Sequence, residues 1–348
     1  MGSKFIKEKK TSEPYYTIPA PLAANIGIFN VSESGICYYG NNIYSKAFAV
    51  REASTSKATS TERIKGSMMV LRGYDVPFKY IEYMDGQIIL DINVTAKDFE
   101  EAKNILAHLE EEMVSSLFTF GMLIDAMKLQ DRLRFLHQKY MRERENARID
   151  VNDYLKNTSW PADLDEKKFK ESKQFLKTET DVKSYYYIRK MPSENVGTLY
   201  EAIRNQPGVT DVMIDYEPVS DMDVYLKVHE LYDDIPGEEP PKEDSRRNIL
   251  AGICFAISGT EETIERRFES LKEIVYPFGC AIVPYYNKQF QAFKAFATFK
   301  TDNIKQLRII QVANAVTVNP FNKEVVKKDQ EKKHLLEEFD LLMNSRLS

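Results

Sequence analysis

The sequence predicts an α+β fold of two tandem ferredoxin-like (split βαβ) modules with a helical connector and a C-terminal helix. Three observations predict it. The element order β-α-β-β-α-β-α is legible twice along the 348 residues. The apolar residues repeat every second position in the strands and every three to four in the helices. Each copy also passes from its second helix to its last strand through a Phe-Gly pair, Phe120-Gly121 and then Phe278-Gly279. The first six elements of each copy follow the split-βαβ plan. With 43% hydrophobic and 29% charged residues, and with 20 Tyr and 19 Phe, the chain has about two domains' worth of core-forming side chains.

In the first copy, "IYSKAFAVRE" (43–52) reads as a strand, and "TERIKGSMMVLRG" (61–73) sets Ile64, Met68 and Leu71 at helical spacing. "VPFKYIEYM" (76–84) and "QIILDINV" (87–94) are strands joined at Asp85-Gly86, a strong hairpin signal. "AKDFEEAKNILAHLEEEMVSSL" then puts Phe99, Ala102, Leu106, Leu109 and Met113 on one helix face. "MLIDAM" is a short apolar run, and "LQDRLRFLHQKYM" carries Leu129, Leu133, Leu136 and Tyr140 on one stripe.

The second copy repeats this. "SYYYIRKMP" (184–192) is a strand, and "ENVGTLYEAIRNQ" (194–206) is a helix with Val196, Leu199 and Ile203 on its apolar face. In "GVTDVMIDYEP" (208–218), Val212, Ile214 and Tyr216 alternate with Asp211 and Asp215. "NILAGICFAIS" (248–258) is apolar on both faces, as a central strand is. "TEETIERRFESLKEIVYPFG" is a helix with Ile264, Phe268, Leu271 and Val275 inward and a cappable acidic start. "CAIVPYY" is the last strand, and a helix-period segment follows it.

The boundaries follow from these elements. Residues 1–38 are an N-terminal leader, 39–141 the first module, 142–183 a charged connector of short helices, 184–321 the second module, and 322–348 an amphipathic helix. The apolar stretch "IPAPLAANIGIFNV" is read as an extended leader packed on the first module, with shallow membrane contact as the alternative, and is too short to span a bilayer. The second copy is longer by "DMDVYLKVHELYDD", which has helical spacing, and by the Pro-rich loop "IPGEEPPKEDSRR". In the last segment Leu335, Phe339 and Leu342 share one side. Two readings stay open for it: a helix folded back on the second module, or a partner-binding or oligomerisation helix.

Composition and motif spacing argue against most chemistry. Net charge is −5, so no global basic field exists for gripping nucleic acid. Cys37, Cys254 and Cys280 lie far apart, which suits a reducing, cytoplasmic compartment; Cys254 and Cys280 are expected as small core residues. The opening "MGSKFIKEKK" lacks the apolar core of a signal peptide. Gly35 and Gly40 are spaced like the glycines of a phosphate loop, but Asn41 and Asn42 stand where Lys and Ser or Thr are needed. "GICYYGNN" is therefore expected to be a turn. His108, His137, His229 and His334 are scattered, so no metal site is expected. Glu100-Glu101 and Glu261-Glu262 are read as solvated helix residues. In "DRLRFLHQKY", Arg132, Arg134 and Lys139 are assigned to a wet helix face around a half-buried His137, with an interaction surface as the alternative. No catalytic, cofactor-binding or metal residue is assigned.

The stretch "CAIVPYYNKQFQAFKAFATF" (280–299) poses a choice, because ferredoxin-like RNA-binding modules carry stacking aromatics on central strands. "FKAFATF" and "YYYIRKMP" faintly echo that pairing. However, Phe290, Phe293, Phe296 and Phe299 recur every three residues, which suits a helix face rather than a strand. The reading is a buried spine. A nucleic-acid-binding module that uses Tyr185, Tyr187 and Phe296 is the alternative.

Taken in order, "GICYYGNNIYSKAFAV", "LQDRLRFLHQKY", "SYYYIRKMP", the block from "ILAGICFAISGTEETIERRFESLKEIVYPFG" to "CAIVPYYNKQFQAF", and "ANAVTVNPF" carry a resemblance. Over about Gly35 to Phe321 the chain resembles the N-terminal half of the VirB/TrbE/CagE-type assembly ATPase of conjugative type IV secretion systems, in the form found in Gram-positive mobile elements. In that family the Pro-Phe segment leads into a nucleotide-binding motor with a phosphate loop. Here Pro320-Phe321 is followed by the charged helix instead. The resemblance implies a non-enzymatic assembly component that contacts membrane channel subunits or a companion ATPase, with self-association possible. It further implies no small-molecule substrate, and a cytoplasmic location that can be peripheral on the inner face of the membrane.

Overall fold

The computed structural model describes residues 13–18, 20–53, 60–141, 169–178, 181–192, 195–220, 248–301, 304, 306–312 and 315. The N-terminal part holds Tyr15–Thr17 (β1), Ala20–Ile26 (α1), Asn30–Ser32 (β2) and Cys37–Tyr38 (β3). Then come Ile43–Glu52 (β4), Ser60–Gly73 (α2), Phe78–Tyr83 (β5), Ile88–Thr95 (β6), Phe99–Thr119 (α3), Met122–Ala126 (β7) and Leu129–Met141 (α4). Lys170–Glu171 (β8) and Leu176–Lys177 (β9) precede Val182–Arg189 (β10), Val196–Arg204 (α5), Val209–Glu217 (β11) and Asn248–Ser258 (β12). Glu261–Val275 (α6), Ala281–Pro284 (β13), Gln289–Thr298 (α7) and Arg308–Gln311 (β14) complete the described elements.

The result is a mixed α+β architecture around one large antiparallel sheet. In the first half the strands lie side by side as β7-β4-β6-β5. In the second half the equivalent elements lie as β13-β10-β12-β11. Strands β5 and β11 then pair with each other, from Phe78↔Tyr216 to Tyr83↔Asp211. The sheet is therefore undivided and runs through both of the segments that the sequence predicts as separate modules. Both β5 and β11 would otherwise be edge strands with unpaired backbone groups, and each satisfies the other's.

Two helical layers cover the sheet. Phe78, Tyr80, Val212, Ile214, Tyr216 and Phe255 point to the layer formed by α2, α3, α5 and α6. Ile81, Tyr83, Tyr185, Met213 and Cys254 point to the layer formed by α1, α4 and α7. With apolar residues at alternate positions on both faces, the central strands read as nearly continuous hydrophobic runs.

Local chemistry sets the element ends. Asp98 caps α3 by accepting from the Glu101 amide at 2.9 Å, and the Glu101 side chain accepts from the Lys97 amide at 2.7 Å. Ala102, Leu106, Leu109, Met113 and Leu117 form its buried stripe. At the β5–β6 hairpin, Gly86 has φ +79°, and the Asp85 carboxylate accepts from the Gln87 amide at 3.0 Å.

Three further expectations change. The leader is not simply extended: α1 buries Ala23 and Ile26 among α4 and α7 residues. The end of the connector is strand rather than helix, because β8 and β9 pair with each other and β9 pairs with β10. Strand β14 pairs with β12 and extends the second half beyond the predicted elements. The helix assigned to "DMDVYLKVHELYDD", the Pro-rich loop, connector residues 142–168 and the C-terminal helix 322–348 lie outside the described residues. No described helix is long and apolar enough to cross a membrane.

Candidate functional site

The aromatic segment 280–299 closes a core. β13 ends at Pro284, and α7 lies over β10 with Phe293 and Phe296 turned inward. Phe296 packs on Tyr185 with ring centroids 5.5 Å apart, and the two are 3% and 1% exposed. Two of the three side chains that a base-stacking platform would use are thus sealed beneath a helix. The third, Tyr187, is half-buried and packs on Tyr285 at 4.9 Å. Gln289, the first residue of α7, is buried and fills a gap on the edge of β10. Its side-chain oxygen accepts from the Tyr185 amide at 2.6 Å, while its nitrogen donates to the Tyr185 and Tyr285 carbonyls at 3.2 Å. One side-chain amide stands in there for a peptide group of a neighbouring strand.

The C-terminus of α7 is where the two halves lock. Its last carbonyls have no partner within the helix, and donors from the first half supply one. Tyr83 donates to the Phe296 carbonyl at 2.5 Å, and Tyr39 donates to the Thr298 carbonyl at 2.7 Å. The Lys79 ammonium donates to the Phe299 carbonyl at 2.6 Å. A cation at this end of a helix also complements the helix dipole. Lys300 returns the contact by donating to the Tyr39 carbonyl at 2.8 Å. Phe299 itself has φ +67°, a conformation costly for a bulky residue. It is held by burial against Phe135 and by the Arg132 guanidinium, 4.4 Å from its ring centroid.

Beneath this cap runs a row of charges. Asp91 on β6, Lys79 on β5 and Asp215 on β11 are direct register partners and all are buried. Lys79 lies 3.6 Å from the Asp91 carboxylate. Ser45 donates to the other oxygen of Asp91. Arg132 on α4 donates to the Cys37 sulfur at 3.2 Å and to the Tyr39 hydroxyl at 3.3 Å. Lys79 thus lies between two buried carboxylates, with Arg132 on the far side of Asp91, and among the described residues neither oxygen of Asp215 has a hydrogen-bond partner. Burial pushes the Asp91 carboxyl above its usual range, opposed by Lys79 and Arg132. Burial also raises the Tyr39 and Tyr83 hydroxyls.

The opposite face of the same strand pair is joined too. Glu82 of β5 accepts from Arg204 Nε of α5 at 2.6 Å and from the Tyr200 hydroxyl. Arg72 of α2 donates to the Asn248 carbonyl of β12 at 3.0 Å. The β5–β11 seam is therefore fastened on both sides by charge-assisted hydrogen bonds, which are stronger than neutral ones.

The remaining sequence candidates fall as follows. "GICYYGNN" forms the turns flanking β3. Gly35 has φ +85°, and a Cβ there would run into the Met127 carbonyl oxygen. Cys254 and Cys280 are buried, as expected; burial lifts the Cys280 thiol to about 11, and Cys254, which contacts the Tyr285 hydroxyl at 2.8 Å, to about 12. Glu261 and Glu262 begin α6 behind its cap, Thr260, and Glu261 pairs with Lys177 at 2.5 Å. His108 is exposed beside Glu112; the side chains of His137, His229 and His334 lie outside the described residues. Among the described residues no group of three or more His, Cys, Asp or Glu is placed to hold a metal ion.

Arg132 overturns its sequence assignment. It does not lie on a wet face with Arg134 but is buried between the leader and α7. Lys79, Asp91 and Asp215 received no role from the sequence. The available signal was that Lys79 shares its strand face with Ile81 and Tyr83, an apolar set that calls for a covering layer.

No protein-family model matches the chain, and neither does any curated protein. Among solved structures, FgChi7B is similar at 9% identity with a TM-score of 0.30, over 86% of this chain and 54% of that one. An aspartate kinase from Synechocystis is similar at 10% identity with a TM-score of 0.19, over 73% and 48%. The chain spans about half the length of each.

Proposed function

We propose that this protein is a non-enzymatic assembly component of a conjugative type IV secretion machine, a rigid body that docks on membrane channel subunits or on a companion ATPase. The observation that carries the reading is the lock at the β5–β11 seam. Donors from the first half cap a helix of the second, and buried charges span the join, so the sequence spends its distinctive side chains on holding two halves in one orientation. A docking platform requires that rigidity. The ordered resemblance of residues 35–321 to the N-terminal half of the VirB/TrbE/CagE-type ATPase supplies the machine. The matching strand orders of the two halves, last-first-third-second in each, support reading them as two ferredoxin-like modules joined edge to edge. The location proposed is cytoplasmic and peripheral at the inner membrane face.

The test is co-purification after in-cell cross-linking from a donor strain, together with conjugation frequency after deletion. Recovery of channel subunits or the companion ATPase, with transfer lost on deletion, supports the reading. Normal transfer in the deletion strain overturns it. Filter binding of single-stranded DNA at two salt concentrations addresses the nucleic-acid alternative, which requires salt-sensitive retention that weakens when Tyr187 is changed.

A further inference from the structure

Strand β7 is an edge of the sheet: it pairs with β4 and with no other described strand. The Met127 amide donates to the Ala47 carbonyl at 2.9 Å, and the Ala53 amide donates to the Gly121 carbonyl at 2.7 Å. The odd-numbered residues of this ladder therefore bond to β4, and Met122 and Ile124 turn their amides and carbonyls outward. Exposed apolar side chains gather at the same edge. Leu123 on the strand is 38% exposed, and Val114 and Phe118 on α3, which packs over β7, are 45% and 49% exposed. Ser116 of α3 faces the end of α2, where its hydroxyl lies 3.4 Å from that of Tyr74. Val114 and Phe118 stand two residues to either side of Ser116, about 200° around the helix, and so face away from α2. Because α2 reaches toward β12 through Arg72 and the Asn248 carbonyl, that direction is toward the β7 edge.

The second half guards the equivalent edge. Placing Phe278-Gly279 on Phe120-Gly121 sets Lys272 at the position of Val114 and Pro284 at that of Ala126. Lys272 pairs with Glu269 at 2.5 Å. Pro284 lies on the outward side of β13, since the Tyr285 amide next to it donates to the Tyr185 carbonyl of β10, and proline offers no amide to a further strand. Charge and proline are devices that keep edge strands from pairing. The first half has neither at these two positions.

We propose that the β7 edge docks a second copy of this chain, strand to strand and antiparallel, about a two-fold axis through Leu123. Register, level and charge fit this occupant. The register is self-complementary. Met122 of each copy bonds to Ile124 of the other through both its amide and its carbonyl, so the outward backbone groups of both strands are satisfied. Leu123 then faces its own counterpart as a non-hydrogen-bonded pair, the closer of the two kinds. The helices agree with that axis. Leu123 lies two strand residues from Gly121, about 7 Å. Ser116 lies five helix residues from it, about 7.5 Å. The axis therefore passes between Val114 and Phe118, and each Val114 meets the other copy's Phe118. The carboxylates flanking the contact, Glu110 on α3 and Asp125 on β7, are paired within each copy with Lys46 and Arg51. A face about 20 Å long and one strand and one helix deep, also about 20 Å, buries on the order of 400 Å² per copy. That is the size of a weak, reversible contact rather than an obligate one. The inference does not depend on the docking function proposed above, because its test uses the purified chain alone.

The experiment is sedimentation velocity of the full chain over a range of concentrations, where a monomer–dimer equilibrium is expected. Leu123→Lys and Leu123→Glu should each weaken the dimer about tenfold or more, because like charges then oppose each other across the axis. An equimolar mixture of the two variants should recover it. Disulfide trapping reads the register separately. Leu123→Cys is expected to give a covalent dimer on mild oxidation, with a 123–123 link in its peptide map. Asp125→Cys, whose counterpart lies four residues away along the strands, about 13 Å, should stay reduced. The native thiols do not compete, because all three are buried. Circular dichroism confirms that each variant is folded. A chain that stays monomeric at every concentration with no 123–123 link would overturn the proposal. So would a dimer indifferent to both charge variants, or Asp125→Cys linking as readily as Leu123→Cys.

Discussion

Replacing Lys79 with methionine tests the lock directly. Methionine keeps most of the stem's length and removes only the ammonium group. The Phe299 carbonyl loses its donor, buried Asp91 is left with Arg132 as its nearby cation, and buried Asp215 loses the charge of its register partner. Breaking a buried ion pair from one side costs about 3–5 kcal/mol, because the remaining charge is neither solvated nor paired. In urea this corresponds to a midpoint lowered by about 1 M or more. Adding Asp91→Asn should return part of the loss, since the double variant buries one charge fewer while preserving shape. The pH dependence has a definite sign. The folded state holds the Asp91 carboxyl above its unfolded value, so it binds a proton more readily than the unfolded chain does, and stability falls as pH rises through that window. The deficit of Lys79→Met should therefore narrow from neutral toward about pH 5, and Asp91→Asn should flatten that slope. The assay is urea unfolding followed by circular dichroism at several pH values. A Lys79→Met midpoint close to wild type, or a deficit that widens in acid, would refute the reasoning.

Three other outcomes follow from local geometry. Gly35→Ala should cost about 2 kcal/mol or more, because the position needs φ +85° and the Met127 carbonyl occupies the space of a Cβ; thermal unfolding checks it. Gln289→Ala removes all three hydrogen bonds at the edge of β10 and should cost about 2 kcal/mol, with faster amide exchange at Tyr185. Unchanged exchange would show that water replaces the side chain. In the native state no thiol should react with a disulfide reagent at mildly alkaline pH, since burial raises all three and leaves little thiolate; rapid labelling before unfolding would contradict the placement of the cysteines.

The sequence by itself determined the main helices and strands of the two copies and the apolar stripe of each, though not α1, β8, β9 or β14. The stripe of α3, the hairpin at Asp85-Gly86 and the helical Phe spacing of α7 are local periodicities, and local periodicity is what a chain writes most plainly. The turn nature of "GICYYGNN" was readable for the same reason. Only the tertiary structure decided that β5 would pair with β11, because cross-strand pairing between segments more than a hundred residues apart leaves no periodic trace in either one. That pairing turned Lys79, Asp91 and Asp215 from apparent solvent-facing residues into a buried row, once α4 and α7 covered the second face. It also made Arg132 an interior cation, although one helix seen alone would place it in water. A charge in a strand looks the same in sequence whether it faces water or a second layer of helices; what differs is the partner that neutralises it, and that partner is supplied by the fold.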